Sequence, residues 1–360
     1  MDKDEMKQVV IIGGSFAAAA ALKSVLAVQE LVNIIVIAPS DFAWNNAASP
    51  RLLIEPERKQ ETIVDFRNLV ESRIQNSIHQ GKFIKSTVTN VDLDERKLSY
   101  DDQILFYDYL IIASGSRYIN NAFKLSNSCD YKQSFEEIDQ LSQKISLAKT
   151  IAIIGGGATG VEVAGEIGFK YGKSKKIDLF TGSSAPLPLL KDSTRKAAIT
   201  KLSKLNVNVM NNIKVKEFTE TSISYDQEIK NYDLVVPTFK SIPNTDFLPE
   251  KVLSSTGYVL VNNSFILKNY PNVIAFGDVA DCTKKSIADI IYFQSKVVKS
   301  SVNHWFSGLS VSSYSPKQML LVAISKNGGV GEVFGLPFPS VLIKIFKSRD
   351  YGIKQSANYF

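Results

Sequence analysis

The chain has 360 residues, 44% of them hydrophobic and 22% charged, with 42 Lys and Arg against 36 Asp and Glu for a formal charge of +6. This ordinary composition leaves room for two or three domains with a sizeable core, and the dispersed basic excess does not imply nucleic acid, although a weak attraction to anionic membranes stays open. Two cysteines, Cys129 and Cys282, make neither a C-x-x-C pair nor a zinc spacing, which argues against dithiol chemistry and a bound metal. No apolar run is long enough to span a bilayer, and the MDKDEMK start offers no signal peptide or myristoylation glycine. The expected location is the cytoplasm, with a peripheral contact on a membrane or lipid droplet as the addition to test.

Val9 to Ile12 is a β-branched run of the kind a buried parallel strand needs, and it enters Gly13-Gly14-Ser15-Phe16-Ala17-Ala18 before a helical pattern through Ala27. This is a dinucleotide turn in altered form: Gly13 and Ala18 fit the G-x-G-x-x-G/A register, while Ser15 stands where backbone must approach phosphate. The next strand, Asn33 to Ala38, ends without the acid that would grip an adenosine ribose. Asp41 or Ser40 could substitute, or Asp41 could serve a solvated loop. Arg51 closes a loop rich in aromatics and amides.

The spacing predicts a helix over 61–80, a strand over Phe83 to Asp92, and hairpin pieces at Lys97 to Tyr100 and Ile104 to Phe106. Tyr109 to Ser116 reads as an apolar strand ending in a small turn, Ala113-Ser114-Gly115, where backbone can meet a ligand. A helix over Phe135 to Leu147 leads into the most informative stretch, TIAIIGGGATGVEVAGE. There a strand precedes Gly155, Gly157 and Gly160 at G-x-G-x-x-G spacing, and a helix through Tyr171 follows. Such a turn lets a pyrophosphate approach the backbone and sit on the helix N-terminus.

Alternating strand and helix continue with Lys176 to Phe180, Ser193 to Leu205, Val207 to Met210 and Tyr232 to Pro237, as a parallel sheet requires. The strand Lys176 to Phe180 ends in Thr181, again without an acid. A carboxylate there would bind the ribose of NADH and repel the extra phosphate of NADPH, so the choice of nucleotide stays open. A short strand is expected at Tyr258 to Val261. Asn272 to Asp281 is a strand stopping at Gly277-Asp278, and Ile287 to Trp305 has helical periodicity. The tail carries a hairpin signal, MLLVAIS-KNGGVG-EVFG, and a helix, Pro339 to Arg349, with Val341, Leu342, Ile345 and Phe346 on a face opposite Lys344 and Lys347. That face either lies on a membrane surface or packs on its own protein.

Together these motifs resemble the two-dinucleotide-binding-domain flavoproteins. Within them the chain looks most like the apoptosis-inducing-factor-like and ferroptosis-suppressor-like NAD(P)H oxidoreductases, relatives of type II NADH:quinone dehydrogenases. The resemblance implies an α/β fold with two Rossmann-like FAD/NAD(P)-binding domains in a glutathione-reductase-like arrangement and a small C-terminal α+β segment. It divides the chain into a discontinuous FAD domain, 7–122 plus 241–305, an NAD(P)H domain, 123–240, and a tail, 306–360, over the flavin and acceptor site.

By the same resemblance FAD lies on Gly13, Gly14, Ser15, Phe16, Ala17 and Ala18, beside Ala113, Ser114 and Gly115, with the Gly277-Asp278 carboxylate on its ribityl chain. Arg51 matches an arginine of the family's loop after the second strand, and Val88 the residue whose backbone meets the adenine. NADH or NADPH lies on Gly155, Gly157, Ala158, Thr159, Gly160 and Glu162, with Thr181 at the ribose. Lys347 matches a lysine near the quinone site, and Gln294 and Lys285 follow the Gly-Asp motif as candidate tuners of the flavin. The implied reaction is hydride transfer to FAD and electron transfer to a quinone-like acceptor. The rival is a redox-sensing protein of slight turnover; a thiol-disulfide or ferredoxin reductase shares the fold.

Overall fold

The computed structural model describes residues 6–124, 130–239, 241–281 and 285–360; Cys129 and Cys282 lie outside them. The run at Gln8–Ile12 is a strand covered on both faces: Val9 and Ile11 pack into one apolar cluster and Val10 and Ile12 into another. Double burial is why the sequence shows a continuous β-branched run and no polar alternation. Around it forms a six-stranded sheet in the order Ile266–Leu267, Tyr270–Ala275, Tyr109–Ile112, Gln8–Ile12, Asn33–Ala38, Gln80–Lys85. All neighbours are parallel except the first pair, and the register runs from Gln8 opposite Asn33 to Ile12 opposite Ile37.

The second sheet is four parallel strands in the order Val207–Met210, Lys176–Phe180, Thr150–Ile154, Leu234–Pro237. Its central strand starts on Asp233, whose carboxylate accepts the backbone N–H groups of Lys149 and Thr150 at 2.8 Å each. In sequence this sheet lies between the strands Tyr109–Ile112 and Tyr270–Ala275 of the first, so the chain leaves the first sheet and returns to it.

Several elements differ from the expected ones. The helix expected over 61–80 is Phe66–Gln75, because Asp65 caps it by accepting the Asn68 N–H at 2.9 Å. Phe83 to Asp92 is two strands, Gln80–Lys85 in the first sheet and Val88–Asp92 in a small antiparallel sheet. Tyr258 to Val261 makes only isolated bridges through Val259 and Val261. Ile287 to Trp305 is interrupted by a π turn at Ile290–Gln294.

The tail folds as expected into a hairpin, Met319–Ala323 against Gly329–Val333, with Ala323 opposite Gly329. Val322, Ala323, Ile324 and Val330 join the cluster that contains Val161, Ala164 and Ile167, so the hairpin packs on the helix Ala158–Tyr171. Beyond it, Ser340–Ile343 is helical and Lys344–Ser348 is a π turn, whose wider winding resets the apolar periodicity. Ile343 and Ser348 are buried, whereas Val341, Ile345 and Phe346 are 63%, 55% and 63% exposed.

Candidate functional site

The carboxyl ends of the first sheet open into a cavity of about 430 Å³. Gly13, Gly14, Ser15, Phe16 and Ala17 line one wall, Ala113, Ser114 and Gly115 a second, and Val88 a third. The first two walls touch: a Cβ on Gly13, at φ +140°, would lie 2.3 Å from the Ala113 carbonyl oxygen, so only glycine permits the two strand ends to meet here. Ser15 is extended backbone at the N-cap of the helix Phe16–Val25 and makes no side-chain cap bond. The free N–H groups of that helix start face an anion-binding position. Ala18 is fully buried beneath the turn and does not line the cavity.

On the opposite side the strand Tyr270–Ala275 delivers Gly277 and Asp278. The Gly277 N–H donates to Gln294 Oε1 at 2.9 Å, and Gln294 Nε2 donates to Asp289 Oδ2 at 2.7 Å, which also accepts the Tyr314 hydroxyl at 2.6 Å. Gln294 is fully buried outside the cavity lining, so it braces the Gly277 turn from behind. Asp278 does line the cavity. Its Oδ2 pairs with the Lys124 ammonium, and its Oδ1 is buried with no hydrogen-bond partner among the described residues.

These features fit FAD. A buried carboxylate oxygen without a donor calls for a hydroxyl-bearing ligand, the glycine turn and helix start call for a phosphate, and the remaining lining, including Trp44, Ile287 and Ile290, is apolar enough for a ring system.

The second glycine turn stands at the end of the strand Thr150–Ile154. A Cβ on Gly160 would sit 1.8 Å from the Gly155 carbonyl oxygen, so the helix packs back on its own turn as closely as glycine allows. Gly157 is the N-cap, and Ala158 and Thr159 open the helix Ala158–Tyr171. Thr181 ends the neighbouring strand against this turn, with the Gly155 N–H donating to the Phe180 carbonyl at 3.0 Å and the Leu187 N–H to the Gly156 carbonyl at 2.7 Å. One turn into the helix, Glu162 is buried. Its Oε1 accepts the Ala323 N–H at 3.2 Å and pairs with Lys347 at 2.6 Å, and Lys347 also donates to the Leu321 carbonyl.

Arg51 stands apart from the cavity. It does not line the cavity; it is fully buried, with Nε and Nη2 forking onto Glu166 at 2.8 Å each, and Nη2 and Nη1 donating to the Ser348 and Arg349 carbonyls. Burial opposes its charge, but the Glu166 hydrogen bonds and charge outweigh burial and hold the guanidinium above its ordinary pKa. The residue ties the first sheet's loop to the second unit's helix and to the tail. Lys285 is likewise outside the lining; it donates to the Ala280 carbonyl and lies over the Tyr258 ring at 4.1 Å.

Lys124 is among the lining residues that the pattern of the sequence did not single out, with Asn244, Asp246 and Phe247. It donates to Ser116 Oγ at 2.6 Å and pairs with Asp278, yet it lies in a stretch that reads only as a connection between units. The small residues at Ala113 to Ser116 mark the wall it reaches, and nothing local marks the lysine itself.

Comparison with known proteins agrees with this geometry. The chain is 34% identical to "Oxidoreductase ptaL" of Pestalotiopsis fici, over 95% of each chain. It is 24% identical to "Ferroptosis suppressor protein 1" of Xenopus tropicalis, covering 98% of this chain and 96% of that one. The solved structure of NDH2 from Plasmodium falciparum in complex with NADH superposes with a TM-score of 0.72 at 16% identity, over 95% of this chain and 93% of the other, which is a likeness of fold. Residues 7–303 match the family described as pyridine nucleotide-disulphide oxidoreductase, and the chain belongs to that family of FAD- and NAD(P)H-dependent oxidoreductases.

Proposed function

We propose that this protein takes reducing equivalents from NAD(P)H and passes them through FAD to a small quinone-like acceptor. The observation that carries this reading is the tail: its hairpin packs on the helix after the second glycine turn, and it places the Lys347 ammonium on Glu162. FAD, when bound, supplies hydride acceptance and onward electron delivery.

The protein's share is positioning. Gly13 to Ala17 and the helix start hold a pyrophosphate, Asp278 takes a hydroxyl on Oδ1, and Gln294 fixes the Gly277 turn that aims Asp278. Gly155 to Gly160 hold the second nucleotide. Lys347 stands outside the cavity lining, paired with Glu162 and donating to the Leu321 carbonyl, and its part near the acceptor is taken from the resemblance. A dithiol acceptor is disfavoured because the two cysteines never stand as a pair in sequence.

The resemblance to ferroptosis suppressors also supports a peripheral membrane contact, where a quinone would be found. No helix among the described residues is long and apolar enough to cross a membrane. Val341, Ile345, Phe346, Phe334 and Leu336 are each more than half exposed, and Lys344 stands among them. An apolar patch with a neighbouring cation suits an anionic membrane surface.

The test is anaerobic mixing of purified holoprotein with NADH or NADPH, followed by quinone. Rapid bleaching of the flavin bands and their return on quinone addition support the proposal. A reduced flavin that quinone does not reoxidise favours the redox-sensor reading instead.

A further inference from the structure

The strand Lys176–Phe180 ends in a loop, 181–184, that carries the sequence Thr-Gly-Ser-Ser and no carboxylate. In a parallel-sheet nucleotide site this is where the adenosine ribose of the second nucleotide lies, because the strand ends next to the one that carries the glycine turn. The geometry here meets that condition: Phe180 and the residues after it hydrogen-bond back to Gly155 and Gly156. An acid at Thr181 would take the ribose hydroxyls and repel a phosphate. Threonine does neither, and its Oγ1 instead lies 3.0 Å from Ser183 Oγ.

The surroundings of the loop are cationic. Lys214 follows the strand Val207–Met210, and the loop that carries it is laced to the first by Asn212 N–H to the Ser183 carbonyl at 2.9 Å and Ile213 N–H to the Thr181 carbonyl at 3.1 Å. This brings the Lys214 side chain to within ordinary contact, 3.7 Å, of the Cβ position on Gly182. Lys214 is exposed and has no carboxylate partner among the described residues. From the other side Arg195 donates to Ser184 Oγ at 3.1 Å and to the Ala185 and Pro186 carbonyls, fixing the loop; the nearest acid is Asp192, which Arg195 also engages at 3.0 Å. The loop offers an exposed hydroxyl at Ser184 beside one ammonium and one guanidinium, while Ser183 is half-buried and its hydroxyl donates to the Ala185 carbonyl at 2.8 Å.

We infer that this loop is a 2′-phosphate site and that the protein prefers NADPH to NADH, with Lys214 as the phosphate-binding cation, Ser184 as a hydroxyl donor, and Arg195 and the Ser183 hydroxyl as the groups that hold the loop. This rests on the proposal that the second glycine turn binds a nicotinamide dinucleotide. A lysine contact of this kind acts as a point charge, so the preference weakens as salt rises.

The experiment is calorimetric binding of adenosine 2′,5′-bisphosphate and of 5′-AMP to the FAD-loaded protein at low and high salt, with Lys214→Ala and Ser183→Asp beside the wild type. The expected result is binding of the bisphosphate roughly tenfold or more tighter than 5′-AMP at low salt, a ratio that falls severalfold in Lys214→Ala, and its reversal in Ser183→Asp. Equal affinity for the two nucleotides, or a ratio unchanged in Lys214→Ala, overturns the inference while leaving the oxidoreductase reading intact. If neither nucleotide binds and neither NADH nor NADPH bleaches the flavin, the nucleotide role of the second turn fails and this inference falls with it.

Discussion

The Lys347 ammonium lies 2.6 Å from the Glu162 carboxylate, joining a π turn of the tail to the first turn of the helix behind the second glycine motif. Glu162 is 7% exposed and Lys347 27%, so the pair is screened from water mainly on the glutamate side. Removing the lysine strands a buried acceptor, at a cost of about 1–3 kcal/mol. If Lys347 serves the acceptor as the resemblance implies, Lys347→Ala leaves flavin reduction by NAD(P)H near the wild-type rate and lowers quinone turnover roughly tenfold or more. Stopped-flow separation of the two half-reactions checks this, and unchanged quinone turnover removes Lys347 from the acceptor site.

Arg51 and Glu166 form a fully buried bidentate pair. Breaking it leaves an uncompensated charge in the core, so Arg51→Ala should destabilise by about 3–5 kcal/mol. The double change Arg51→Met with Glu166→Leu should recover most of that loss, since an apolar pair of similar volume removes both buried charges. Denaturant unfolding measures both variants. FAD content per folded molecule should stay unchanged in the double variant, because Arg51 does not line the cavity.

Asp278→Asn keeps the size of the side chain and removes the charge that Lys124 faces in the cavity. FAD affinity should fall by about 10–100-fold, the effect expected of losing a charge-assisted hydrogen bond of about 1.5–3 kcal/mol. Lys124→Met should weaken FAD less, because it leaves Oδ1 of Asp278 able to accept a hydroxyl. Fluorescence of released flavin on dilution gives both values.

Asp233 has its carboxyl held below the ordinary carboxylate range by the backbone N–H groups of Thr150 and Lys149. A depressed folded pKa stabilises the fold above the unfolded value of about 3.9 and loses that contribution as pH falls through the folded value. Asp233→Asn should therefore flatten the acid limb of the stability curve below about pH 4 and leave its slope near neutrality unchanged. Thermal melts across that range provide the check.

The parts of the fold that were legible are those where local sequence and tertiary role coincide. Val9 to Ile12 and Ile151 to Ile154 read as strands because burial on both faces demands β-branched residues, and the glycine turns read as turns because the backbone approach excludes a Cβ. The tail hairpin was legible for a related reason, its Asn-Gly-Gly turn.

What could not be read depends on partners distant in the chain. Nothing near Arg51 announces Glu166, and an arginine in a polar loop looks alike whether it faces a phosphate or a core carboxylate. Lys124 meets Asp278 only once the strand Tyr270–Ala275 takes its place beside Tyr109–Ile112. The π turns at Ile290–Gln294 and Lys344–Ser348 each hold a side chain bonded to a partner on another element, Gln294 to Gly277 and Lys347 to Glu162, and helical periodicity has no sign of either. Each turn sits next to a candidate functional residue, which is where local pattern and function most often part.

The most direct measurement for the central claim is an anaerobic titration of the purified protein with NADPH and NADH, followed at the flavin absorption bands and completed by addition of a quinone. The account predicts a flavin spectrum in the isolated protein, stoichiometric bleaching by reduced nucleotide, and full return of the oxidised bands when quinone is mixed in. A protein without flavin, or a flavin that neither nucleotide bleaches, would contradict it.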